Sequence, residues 1–163
     1  MKKEKFLTIY AVFDEETQRK LNKIQQEIEA KYPAGSQTRG IPFHISLGSF
    51  PVEEKAALIG RIGKWIEELK PFSIELEGLG HFDNQLLYVK PNLNAELEAL
   101  HQIFEGNYSD GYPWVPHVTL YSQEKKIIQE LLEEYEAIKL DAKIVGLQMG
   151  EFFPTKIILT ATF

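Results

Sequence analysis

The sequence has no cysteine, which excludes disulfides, thiolate nucleophiles and thiolate metal sites. Chemistry must therefore come from imidazoles, carboxylates, hydroxyls, lysine or arginine. An excess of positive charge is also missing: 18 Lys and Arg against 24 Asp and Glu give a formal charge of -6, unsuited to a surface that coats nucleic acid by releasing counterions from many phosphates. No apolar run approaches the roughly 20 residues needed to cross a bilayer. After Met1-Lys2-Lys3-Glu4-Lys5 comes only a strand-length apolar run before Asp14-Glu15-Glu16. No signal peptide is expected, and a cytoplasmic protein that does not engage membranes is. HExxH, P-loop and GxGxxG patterns are lacking too, so no metal site or cofactor is expected.

What remains is ordinary globular material, with 44% hydrophobic and 26% charged residues. Its 163 residues suit one domain, expected to be monomeric, with two lobes of about 1–80 and 81–163. The run Phe6 to Phe13 predicts a strand, and Leu21, Ile24 and Ile28 then continue at helical spacing until Tyr32-Pro33. The Gly/Ser/Thr-rich stretch Pro33 to Pro42 reads as a loop leading to a strand over Phe43 to Phe50. A helix is predicted from about Val52 to Leu69, followed by a period-two strand from Phe72 that ends at Gly78 to Gly80.

The second half repeats this order. Gln85 to Lys90 predicts a strand, Asn94 to Phe104 an amphipathic helix, Gly106 to Pro116 a loop and His117 to Ser122 a strand. A helix over Glu124 to Ile138 and strands over about Leu140 to Met149 and Thr155 to Thr162 follow. The fold class is α+β, a duplicated β-α-β-α-β architecture with two antiparallel-rich sheets flanking a central cleft and helices outside.

At matched places in the two halves stand His44-Ile45-Ser46-Leu47 and His117-Val118-Thr119-Leu120. Strand side chains alternate, so His44 and Ser46 share one face and His117 and Thr119 share another, opposite their apolar neighbours. Such alternation on a solvated sheet face explains either motif alone. Chance starts such a tetrapeptide at a given His on the order of a few per cent of the time, and two at equivalent strands are far rarer. Two imidazoles on opposite sides of one phosphorus can take a proton from attacking water and give one to the leaving oxygen. The Ser and Thr hydroxyls can donate to the non-bridging oxygens, where charge gathers.

On these motifs and this element order the chain resembles the 2H phosphoesterase superfamily, which includes 2'-5' RNA ligase-like proteins and cyclic phosphodiesterases. The resemblance implies that His44 and His117 are the acid/base pair and that Ser46 and Thr119 bind phosphate. It also implies metal-independent action on a 2',3'-cyclic phosphate or related small phosphodiester of a nucleotide or RNA end. Many relatives carry a basic residue shortly after the second motif, where Tyr121-Ser122-Gln123 stands here; Arg39 is the nearest substitute, with a solvated loop cation as its alternative. The other classes of function open at this point are a non-catalytic module binding phosphorylated nucleotide or RNA ends, and 2'-5' RNA end joining.

Further substrate-binding candidates follow from position. Tyr121 continues the alternation of His117 and Thr119 and is expected to face the cleft. Tyr10 and Tyr88 occupy similar places in the opening strands of the two halves and are candidates for its floor, with packing as the alternative. In the loop Tyr112-Pro113-Trp114-Val115-Pro116, Trp114 is a candidate lid residue or a buried one. His81 is read as a turn residue and His101 as a partly buried helix residue.

Overall fold

The computed structural model describes residues 4–35, 40–105 and 114–163. Among these, seven strands and four α-helices form. β1 (Phe6–Phe13) leads into α1 (Glu15–Lys31), whose N-terminus is capped by the Asp14 carboxylate accepting from Thr17 N at 3.0 Å. Glu15 and Glu16 in its first turn favour the positive end of the helix dipole. β2 (His44–Pro51), a 3₁₀ turn at Val52–Glu54, α2 (Lys55–Trp65) and β3 (Phe72–Phe82) follow.

The second series is β4 (Leu86–Pro91), α3 (Ala95–Ile103, capped by Asn94), β5 (Val118–Ser122), α4 (Lys125–Glu134) and β6 (Lys139–Phe152), with β7 (Lys156–Thr162) added. β3 runs past its expected end because Gly78, at φ 80°, absorbs a register shift between Leu76 and Leu79, after which pairing with β4 resumes. The β3–β4 turn is closed by Asp83 and Asn84, both at φ 53°, and by Gln85 N donating to Phe82 O at 3.0 Å.

Every strand pair is antiparallel, and the two groups of strands form one sheet rather than two, in the order β2-β1-β6-β3-β4-β5, with β7 beside β6. The third strands have changed places. β6, the third strand of the second series, pairs with β1, whereas β3, the third of the first series, pairs with β4. β3 and β6 pair with each other over Phe72–Glu77 and Lys139–Ile144, joining the groups. The long β6 can serve both because different stretches of it meet β3 and β7.

Each helix packs its apolar stripe on this sheet through buried side chains three to seven residues apart: Leu21 and Ile28, Leu58 and Ile62, Leu97 and Leu100, Ile128 and Leu131. Each contributes about 1.5–3 kcal/mol by leaving water. Among the described residues no helix is long and apolar enough to cross a membrane.

Candidate active site

The two motif strands use the same backbone device. Tyr10 lies opposite Ser46 across β1 and β2, and Tyr88 lies opposite Thr119 across β4 and β5. One step further on, both ladders slip. Ile9 pairs with Gly48, passing over Leu47, and Leu87 pairs with Tyr121, passing over Leu120. A bulge therefore follows each hydroxyl residue, and such a bulge bends the strand and re-aims its side chains.

The bulge corrects one expectation. Tyr121 does not face the cleft, because the extra residue reverses the alternation and puts it on the Leu87 side. It is fully buried in the core, its ring lies against Gly35, and its hydroxyl donates to Tyr32 O.

Both imidazoles are anchored alike. His44 Nδ1 is 2.8 Å from Pro42 O and His117 Nδ1 is 2.8 Å from Val115 O, in each case the carbonyl two residues earlier. A carbonyl only accepts, so in the neutral ring Nδ1 carries the proton and Nε2 keeps its lone pair. The Ser46 and Thr119 hydroxyls make no hydrogen bond to another described residue. β2 and β5, the ends of the strand path, also approach each other, so the sheet curls and brings the two motifs together. His44 and Thr119, from different halves, line one cavity of about 360 Å³.

Burial pushes the His44 imidazole down to about 4, against the bond to Pro42 O and with a smaller lowering from the charge of His117. His117 is also lowered by burial, opposed by its bond to Val115 O. Desolvation dominates because aromatic rings cover both imidazoles. Tyr10 lies 4.4 Å from the His44 ring, and Phe82 and Tyr88 lie 4.9 and 5.4 Å from that of His117. Tyr10 and Tyr88 are both buried, and each packs against a motif imidazole, in keeping with the packing alternative. The Tyr10 hydroxyl, pushed up to about 12 by burial, donates to Gln148 Oε1 at 2.8 Å, and Gln148 Nε2 donates to Thr160 Oγ1 at 3.1 Å.

Trp114 is half-buried, donating from Nε1 to Ser46 O at 3.0 Å and stacking on His101 at 3.8 Å, so it ties the second half to β2. His101 is thereby a packed helix residue, and His81 accepts from Asn84 N in the β3–β4 turn. Arg39, like Tyr112 and Pro113, lies outside the described residues. No group of three His, Asp or Glu side chains among the described residues is placed to hold a metal ion.

Two contributions escaped the sequence reading. Phe82 packs edge-on to His117. The polar face of α1, with Gln18, Arg19, Asn22 and Gln25, forms the wall of the cavity facing His44 and Thr119. Gln18 Nε2 donates to Phe43 O at 2.8 Å while its Oε1 accepts from Phe43 N at 3.0 Å, and Gln25 Nε2 donates to Leu120 O at 2.7 Å. One helix thus holds both motif strands. Uncharged amides at 18, 22 and 25 on a helix otherwise rich in Lys and Glu were the available signal.

In comparison with known proteins, the family model described as 2'-5' RNA ligase superfamily matches residues 12–150. No curated protein matches in sequence. Among solved structures, TT0787 of Thermus thermophilus superposes with a TM-score of 0.68 at 14% identity, covering 96% of this chain and 97% of that one. Escherichia coli LigT complexed with NADP+ gives 0.61 at 13% identity, with 99% of each chain covered. Kluyveromyces marxianus Usb1 with uridine monophosphate gives 0.52 at 14% identity, with 100% of each covered. At such identities these likenesses speak for the fold.

Proposed function

The chain belongs to the 2'-5' RNA ligase superfamily, whose motif pair defines the 2H phosphoesterases, and we propose that it hydrolyses the 2',3'-cyclic phosphate of a nucleotide or RNA end. The reading is carried by the matched anchoring of His44 and His117, which leaves Nε2 of each ring without a partner among the described residues, and it is supported by the approach of β2 to β5. Family membership and the nucleotides named for the LigT and Usb1 structures, NADP+ and uridine monophosphate, support the substrate class.

Water attacks phosphorus. In this reading His44, the ring burial holds at about 4, takes the water proton as the new P–O bond forms. His117, in its protonated form, delivers a proton to the ribose oxygen as the ring P–O bond breaks, which leaves a nucleoside monophosphate. The Ser46 and Thr119 hydroxyls donate to the non-bridging oxygens, where each donor contributes a few kcal/mol to the transition state.

The test is turnover of nucleoside 2',3'-cyclic phosphates by purified protein in EDTA, beside His44→Ala and His117→Ala. Loss of about 10²–10⁴-fold in kcat/KM with either variant is expected. Absence of wild-type turnover, or full activity in either variant, overturns the reading.

A further inference from the structure

We propose that Arg19 forms a second anion subsite beside the scissile phosphate, so that this site prefers ligands carrying two phosphates to those carrying one. The inference rests on the reading of His44 and Thr119 as the phosphate site and extends it to the class of ligand.

The cavity holding His44 and Thr119 adjoins a second one of about 500 Å³ that runs towards Val12, Glu15 and Gln148. Gln18, Arg19 and Pro42 line both, so they stand at the junction. A single phosphate and ribose would not fill the combined space. Formal charge is scarce there. Among the described residues lining the two cavities, Arg19 is the one permanent cation, Glu15 the one carboxylate and His44 the one imidazole. With His44 lowered to about 4, that imidazole is neutral at pH 7.

Arg19 is exposed and makes no ion pair among the described residues, whereas its neighbour Lys20 is engaged by Glu16 at 3.7 Å. Gln18, the other polar group at the junction, has both amide atoms committed to the Phe43 backbone. The guanidinium is therefore the free donor there, and its planar fork suits phosphate oxygens. Glu15, one helical turn before Arg19, lines only the second cavity and disfavours an anion there, so the favourable place for a second phosphate is the junction, on the side of Arg19 that faces the first cavity. Two sources carry the chemistry: the 5'-phosphate of a nucleotide, or the next internucleotide phosphate of an RNA end.

The experiment is titration calorimetry at pH 7 and low salt with wild type, Arg19→Gln and Lys20→Gln. Three probes are used: adenosine 3'-monophosphate, adenosine 3',5'-bisphosphate, and a dinucleotide with one internucleotide and one terminal 3'-phosphate. Binding is read, so the result stands whether or not hydrolysis occurs. We expect wild type to bind at least one two-phosphate probe about 10-fold or more tightly than the monophosphate, a difference of about 1.4 kcal/mol. Arg19→Gln should bring that ratio close to one, and Lys20→Gln should preserve it.

The bisphosphate against the dinucleotide tells which source the subsite takes. No preference in wild type overturns the proposal, as does a preference that survives Arg19→Gln. Equal weakening of all three probes by Arg19→Gln also overturns it, because Arg19 would then hold the scissile phosphate. Failure to bind any probe counts instead against the phosphate site itself, and a binding preference without turnover counts against hydrolysis alone.

Discussion

The two motif strands are near copies in backbone and unlike in surroundings. Each presents His-apolar-hydroxyl-apolar, each ring is held by the carbonyl two residues back, and each strand bulges after its hydroxyl. Yet His44 lies against a buried tyrosine whose hydroxyl is tied to Gln148, whereas His117 packs on Phe82 and Tyr88, which also touch each other. After the bulge, β2 has Gly48 where β5 has the buried Tyr121. Duplication supplied the shape, and the neighbours supply a difference in proton affinity; acid and base roles divide where environments separate two like groups.

The comparison breaks most visibly if the two imidazoles are unequal in weight. His44→Ala and His117→Ala should each lower kcat/KM by about 10²–10⁴-fold, and the double variant by little more than either alone. Additive losses would mean that the halves act independently. Next in size, Ser46→Ala and Thr119→Ala should each cost about 10–10³-fold in kcat with little change in substrate affinity. Steady-state kinetics on both variants would reveal a one-sided site if only one of them matters.

The pH dependence sharpens the contrast. The productive form needs neutral His44 and protonated His117, so kcat/KM should peak on the acid side of 6.5 and above about 4, falling tenfold per pH unit above the peak. Stability has its own sign. A ring whose proton affinity is lower folded than unfolded contributes fully above 6.5, and that contribution is lost as the pH falls towards about 4. Urea unfolding of His44→Asn between pH 7 and 4 should therefore show a flatter acid decline than wild type, with a smaller flattening in His117→Asn.

Smaller still, Tyr10→Phe strands Gln148 Oε1 in a buried place and should cost about 1–3 kcal/mol on thermal unfolding. Tyr88→Phe, whose hydroxyl has no partner among the described residues, should cost well under that.

Much of this was open to reading from residues alone. The motifs lie on strands, α1 spaces Leu21 and Ile28 by seven, and the helices and strands fall near where their apolar periods predict them, because both signals are local. What failed to show was non-local. Tyr121 was misplaced because a bulge depends on the partner strand and leaves no mark on period-two alternation. The exchange of β3 and β6 was hidden because pairing between distant strands is written in no single segment. Gln18 and Gln25 take their part only through the Phe43 and Leu120 carbonyls they bind, which lie far away in sequence.

That exchange also governs how the chain can be made. One edge of β1 waits for Ile144–Phe152, and the Tyr10 hydroxyl for Gln148, 138 residues later. On the ribosome, β1 stays unsealed on that side until β6 has emerged, as an apolar ribbon open to wrong partners. Closure comes late and joins both series in one step, so slow folding and a need for protection while nascent are built into the topology.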